Sequence, residues 1–163
     1  EPLENIIDQN NIHGWLQQKI STAETRQAAF LTEIFDTYGV EAIELALEQY
    51  KVQGEKVGRE SREKEMPSSA TELFKTMNNY ILDGMPCDHV NEITRSEGDR
   101  FEWETVSCLH IGYWQSANGN PDVFYRLRKQ WIAAFIENAN PEYKYTFQKN
   151  SNSLSHRIVK GGR

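Results

Sequence analysis

The spacing of apolar residues first changes near residue 85, and that change limits what the chain can fold into. Before it, apolar side chains recur at three- and four-residue intervals: Ala28, Leu31, Ile34, Phe35 and Tyr38, then Ile43, Leu47 and Tyr50, then Leu73, Phe74, Met77, Tyr80 and Ile81. This is the period of helices with one buried stripe. After it, residues 90–95 and 100–106 have strand character and flank Ser96-Glu97-Gly98-Asp99, a hairpin turn sequence. Helical spacing returns over 109–115 and from Pro121 toward Pro141, where Phe124, Leu127, Trp131 and Phe135 form an inner face. A second hairpin, 143–148 and 153–159 around Lys149-Asn150-Ser151-Asn152, closes the chain. The expected fold is α+β, an N-terminal helical layer packed on a small antiparallel sheet of two β-hairpins separated by helices (β-β-α-α-β-β).

Boundary signals refine this. Ser21-Thr22-Ala23-Glu24 has the form of a capping box and is expected to open the first helix, with Gly39 ending it. The second helix starts near residue 40 and runs into Gly54 and Gly58, which either allow close helix approach or mark a break. Residues 59–65 are a solvated charge run, as helix end or loop, interrupted by Met66-Pro67-Ser68-Ser69. Ser69 with Glu72 opens the third helix, and Gly84 and Pro86 close it. Asn120 caps a helix whose first residue is Pro121.

A chain of 163 residues is expected to form one domain, helical over 1–85 and hairpin-helix-hairpin over 86–163. The net charge of −6 argues against a nucleic-acid partner, although Arg126, Arg128 and Lys129 cluster, as do Arg157, Lys160 and Arg163. No apolar run approaches the ~18 residues of a membrane span. The chain starts at Glu1 without a Met and shows no signal-peptide pattern, and two cysteines make no disulfide framework. A cytoplasmic, reduced protein is expected, with a small-molecule substrate as partner and self-association into a homo-oligomer left open. Gly161-Gly162 is a tail and no phosphate-binding glycine loop occurs.

Both cysteines precede a histidine by two residues, in Cys87-Asp88-His89 and Cys108-Leu109-His110; only His13 and His156 lie elsewhere. The pairs flank the first hairpin, so its register decides whether they meet. With Gly98 in a bulged turn, Ile93, Phe101 and Trp103 share one face and Cys87 falls on the face opposite Cys108. A two-residue turn would set the cysteines directly opposite each other. The aromatics favour the first register, so neither disulfide nor metal site is expected. A Cys/His metal centre stays an alternative, although one residue between ligands strains a tetrahedral site.

Several stretches resemble the L-2-amino-thiazoline-4-carboxylic acid hydrolase family. They are Phe101-Glu102-Trp103-Glu104-Thr105-Val106-Ser107-Cys108, a hairpin running into a cysteine at a helix mouth; Pro121-Asp122 at a helix start; Asn140-Pro141; His156-Arg157 in the last hairpin; and the glycine-spaced helix 50–58. Leu109 stands where the family often has Pro, and Leu154 where it tends to carry a second cysteine. The resemblance implies a cysteine-centred hydrolase acting on a C–N or C=N bond of a cyclic amidine or amide-like substrate, from a bacterial source and without a cofactor. Cys108 would attack, since free backbone N–H groups at a helix mouth favour a thiolate; the alternative is an inert core thiol. His156 is the preferred base and His110 the second candidate, against structural imidazoles in both cases. Arg157 would orient an acidic group, and Tyr113, Trp114 and Tyr125 would wall the pocket, with Asp122 beside it; Asp122 as a helix cap, Arg157 as a surface charge and Trp114 as core are the competing roles. The loss of the second family cysteine also suits a non-catalytic small-molecule-binding protein on the same fold.

Overall fold

The computed structural model describes residues 2–150 and 153–161. Ser151 and Asn152 of the last turn, and Gly162 and Arg163, lie outside the described residues. The first long helix, α1 (Ile12–Tyr38), begins ten residues earlier than the Ser21 capping pattern suggests, because Asn11 caps it by accepting from the Gly14 amide at 3.0 Å. Ser21 and Glu24 therefore sit within α1, and their side chains bond elsewhere. Gly39 ends α1 with φ of 69° and ψ of −150°, open to glycine alone, and starts α2 (Val40–Lys64).

The helix α2 is unbroken through Gly54, Gly58 and most of the charge run. The two glycines let it lie on α5 (Pro121–Ala139) at backbone contact, since a Cβ at either would collide with the carbonyl oxygens of Trp131 and Phe135. Their four-residue spacing matches the spacing of the residues they meet. The short α3 (Ala70–Met77) is capped by Ser69, which accepts from the Glu72 amide, while Glu72 accepts from Ser68.

The sheet contains β1 (Asn91–Glu97), β2 (Arg100–Thr105), β3 (Tyr143–Lys149) and β4 (Leu154–Lys160) in the antiparallel order β1-β2-β4-β3. The helix α4 (His110–Ser116) lies between the hairpins, giving the expected α+β architecture. Phe101, Trp103, Tyr143, Ile158 and helix residues Leu73, Met77, Trp131 and Phe135 form the main core. The first turn has two residues, Gly98 and Asp99, rather than a bulged turn. A bulge at Thr94 then shifts the register, so Ile93 still faces Trp103. Ile93 is nevertheless 60 % exposed, on a strand at the edge of the sheet.

Candidate active site

Strand alternation selects which residues reach the interior. Thr105 on β2, His156 on β4 and Tyr145 on β3 all face the helices and are buried. His156 is paired with Trp103 on one side and Phe147 on the other, so Thr105 and Tyr145 are its diagonal neighbours. The imidazole lies flat on the Trp103 indole, with centroids 4.7 Å apart and planes 5° apart.

These side chains belong to one hydrogen-bonded chain whose direction follows from its acidic end. Arg128 on α5 pairs with Asp83, and the Asn91 Nδ2 donates to the other Asp83 oxygen at 2.7 Å. Burial alone would raise the Asp83 carboxyl, but Arg128 and Asn91 more than offset it and hold it below the usual carboxylate range. An ionised carboxylate only accepts, so Asn91 must turn its amide nitrogen there and its oxygen toward Thr105. Thr105 donates to that oxygen at 2.5 Å, and so must accept at 3.2 Å from His156 Nε2. His156 Nδ1 is then bare and accepts from the Tyr145 hydroxyl at 2.7 Å. Burial pushes the Tyr145 phenol up and pushes His156 down to about 4. His156 is thus neutral, proton on Nε2, with both nitrogens engaged.

His110 stands across the same cavity in a different state. It heads α4 and is 6 % exposed, with its Nδ1 3.0 Å from Glu24 Oε2 on α1. Glu24 accepts from the Nδ1–H and so fixes which way the ring lies, with Nε2 directed away from the carboxylate. That Nε2 is buried and has no hydrogen-bond partner among the described residues. The Phe124 ring packs against the imidazole at 4.7 Å.

Cys108 is half-buried at the turn between β2 and α4 and lines this cavity together with His110, His156, Tyr125, Asp83, Arg128 and Leu154. Burial raises the Tyr125 phenol, and hydrogen bonding with the Cys108 thiol raises it further, so Tyr125 stays a hydroxyl donor across the neutral range. The cavity volume is about 20 Å³, room for one water. Leu154, where the resembled family tends to carry its second cysteine, closes one side. Both thiols are free: Cys87 is exposed on a 3-10 turn, 4.0 Å from His13 Nδ1. His89 is exposed beside it. Among the described residues no three His, Cys, Asp or Glu side chains converge as a metal requires.

The remaining candidates divide. Arg157 alternates with His156 and so emerges on the outer face of the sheet, bonded to Glu102 at 2.5 Å. It does not reach the Cys108 cavity; Arg128 is the guanidinium that does. Asp122 is an exposed helix-start residue paired with Lys149, and its amide donates to Asn120. Trp114 is buried in a second core cluster with Ala28, Val123 and Leu127. Tyr113 lies on the next cavity along α1, its hydroxyl 3.2 Å from both Gln17 and Ser21. The basic clusters are dispersed, with Arg126 on Glu44 and Arg128 on Asp83. The sequence pattern had assigned Glu24 to a helix cap and gave no signal for Asp83, Asn91, Thr105 or Tyr145. No helix among the described residues is long and apolar enough to cross a membrane. No family model, curated protein or solved structure matches the chain.

Proposed function

We propose that this protein is a thiol-dependent hydrolase acting on a C–N or C=N bond of an amidine or amide-like small molecule, related to the L-2-amino-thiazoline-4-carboxylic acid hydrolases. The observation that carries this reading is a histidine held by Glu24 with a buried, unpartnered Nε2, His110, lining the same cavity as Cys108. A nucleophile, a base and a third group that orients the base make the arrangement nucleophilic catalysis needs. The cavity then holds the reacting carbon or the hydrolytic water.

The Cys108 sulfur, its proton passed to His110 Nε2, forms a bond to the electrophilic carbon, and the C=N or C=O electrons move to the heteroatom. Collapse breaks the C–N bond, and His110 returns the proton to the leaving nitrogen. Water, deprotonated by His110 Nε2, then attacks the thioester or thioimidate carbon, the C–S bond breaks, and His110 gives that proton to the departing sulfur to free the thiol. Tyr125 donates toward the sulfur or the developing charge. His156 shapes the cavity wall and moves no proton. Two free thiols suit a reducing, cytoplasmic setting.

A non-catalytic binding role is the second reading, favoured by a cavity of about 20 Å³ that has to open for any substrate. p-Nitrophenyl acetate separates the two. The hydrolase reading expects a burst of p-nitrophenolate, an acetyl group on Cys108 by mass spectrometry and loss of both in Cys108→Ala. A burst that survives in folded Cys108→Ala, or no Cys108 adduct at all, contradicts it.

A further inference from the structure

The Cys108 cavity is too small for a substrate, but it shares its Phe124 and Arg128 walls with a larger cleft. His110 of the cavity is bonded to Glu24, which faces that cleft, and Phe124 and Arg128 border both spaces. The cleft has a volume of about 300 Å³, within the range of small-ligand sites. Its walls come from α1, α2, the segment after α3, and α5.

Four aromatic rings define its shape: Tyr50, Tyr80, Phe124 and Trp131. All three with polar tips have them tied down: the Tyr80 hydroxyl donates to Glu65 at 3.0 Å. Gln27 donates to the Tyr50 hydroxyl at 3.0 Å, and the Trp131 indole N–H donates to Gln53 at 3.0 Å. The rings are held in place with their polar groups already satisfied, so what they offer a ligand is apolar surface for a flat group.

Charge narrows the class. Arg128 is matched by Asp83 behind it, which leaves Glu24 as the uncompensated charge of the cleft. One Glu24 oxygen accepts from His110 and the other is free to accept from a ligand. An anion entering would meet Glu24 in a chain of net charge −6. A flat cation gains from Glu24 and from the negative faces of the rings.

We propose that this cleft is the recognition site for a planar aromatic cation, an aryl amidine being the simplest case. The proposal rests on the C–N hydrolase reading and specifies its substrate: the ring lies among the aromatics, the cationic nitrogen is beside Glu24, and Phe124 separates the ligand from Cys108. Reaction requires that ring to turn aside, which joins the two spaces.

Calorimetric titration of the full chain with benzamidine and benzoate tests this. Benzamidine binds at one site, and benzoate binds at least about tenfold more weakly. Val57→Trp fills the cleft and abolishes benzamidine binding; Gln27→Trp, at an exposed position on the rim, does the same. Glu24→Gln weakens benzamidine by about tenfold and narrows its margin over benzoate. Absence of benzamidine binding, equal affinity for benzoate, or affinity unmoved by every folded tryptophan variant overturns the proposal. The p-nitrophenyl acetate burst is read on the same samples. Its loss with benzamidine still bound defeats the hydrolase reading and not the cleft; a burst without benzamidine binding does the reverse.

Discussion

The two walls of the Cys108 cavity each present a buried histidine, and the two differ in how many of their nitrogens are spoken for. On the sheet wall, His156 accepts from Tyr145 and donates to Thr105, in a chain that ends on the Asp83–Arg128 pair. On the helix wall, His110 has Glu24 on one nitrogen and nothing on the other. Burial is nearly the same, 9 % against 6 % exposed, so burial does not tell a structural imidazole from a reactive one. The count of partners does. A saturated imidazole is held in one tautomer and has no lone pair to lend, whereas a half-saturated one is oriented and still basic at one atom.

This contrast is sharpest in a pair of substitutions. His110→Gln is expected to slow acyl transfer to and from Cys108 by about 10²–10⁴-fold with the fold retained, as for loss of a general base. His156→Gln should leave acyl transfer within a few-fold and act on stability instead. Equal losses of activity in the two variants would erase the distinction between the walls.

The next largest effect is acid sensitivity. His156 has a folded value of about 4 against about 6.5 when exposed, so the unfolded chain binds its proton first as pH falls. The stability this neutral ring confers is complete above about 6.5 and is lost on descending toward 4, by on the order of 3 kcal/mol. Urea midpoints across that window measure it, and His156→Gln should flatten that part of the profile. A wild-type profile with no fall there would break the account of the sheet wall.

Smaller effects follow from the partners. Glu24→Gln should cost about 10–100-fold in acyl transfer by loosening the His110 ring, with little change in stability. Tyr145→Phe should do the opposite, lowering stability by about 1–2 kcal/mol through an unpaired His156 Nδ1 while sparing the chemistry. The cross-pattern is the informative result; a Tyr145→Phe variant that is stable but inactive would transfer the catalytic role to the sheet wall.

The difference between the walls also explains what could be read in the chain. Apolar period is a local property, and it located the helices and both hairpins to within a few residues except at the start of α1 and at the end of α3, which stops at Met77, short of Tyr80, Ile81 and the stop at Gly84 and Pro86. At the start of α1, Ser21 and Glu24 have the form of a cap, but Asn11 already satisfies the helix end and frees both for Tyr113 and His110. Cys108, His110, His156 and Tyr125 were legible as candidates because reactive residue types are few. The hydrogen-bonded chain was not, because Thr105, His156 and Tyr145 become neighbours only through the β2-β4-β3 order across some fifty residues. Arg157 and Arg128 were exchanged for a similar reason: one step along a strand turns a side chain to the other face, and which of His156 and Arg157 points inward depends on the core it joins. Gly54 and Gly58 were legible as a close-approach spacing, but only α5 shows what approaches.

The central claim is that the two histidines carry their protons on opposite nitrogens. Long-range ¹H–¹⁵N spectra of the imidazoles near pH 7, assigned with His110→Gln and His156→Gln, test it directly. The account predicts His156 as the neutral Nε2–H tautomer with a bare Nδ1, and His110 with its proton on Nδ1 and a bare Nε2. Finding the two rings in the same tautomer, or His110 with its proton on Nε2 alone, would contradict it.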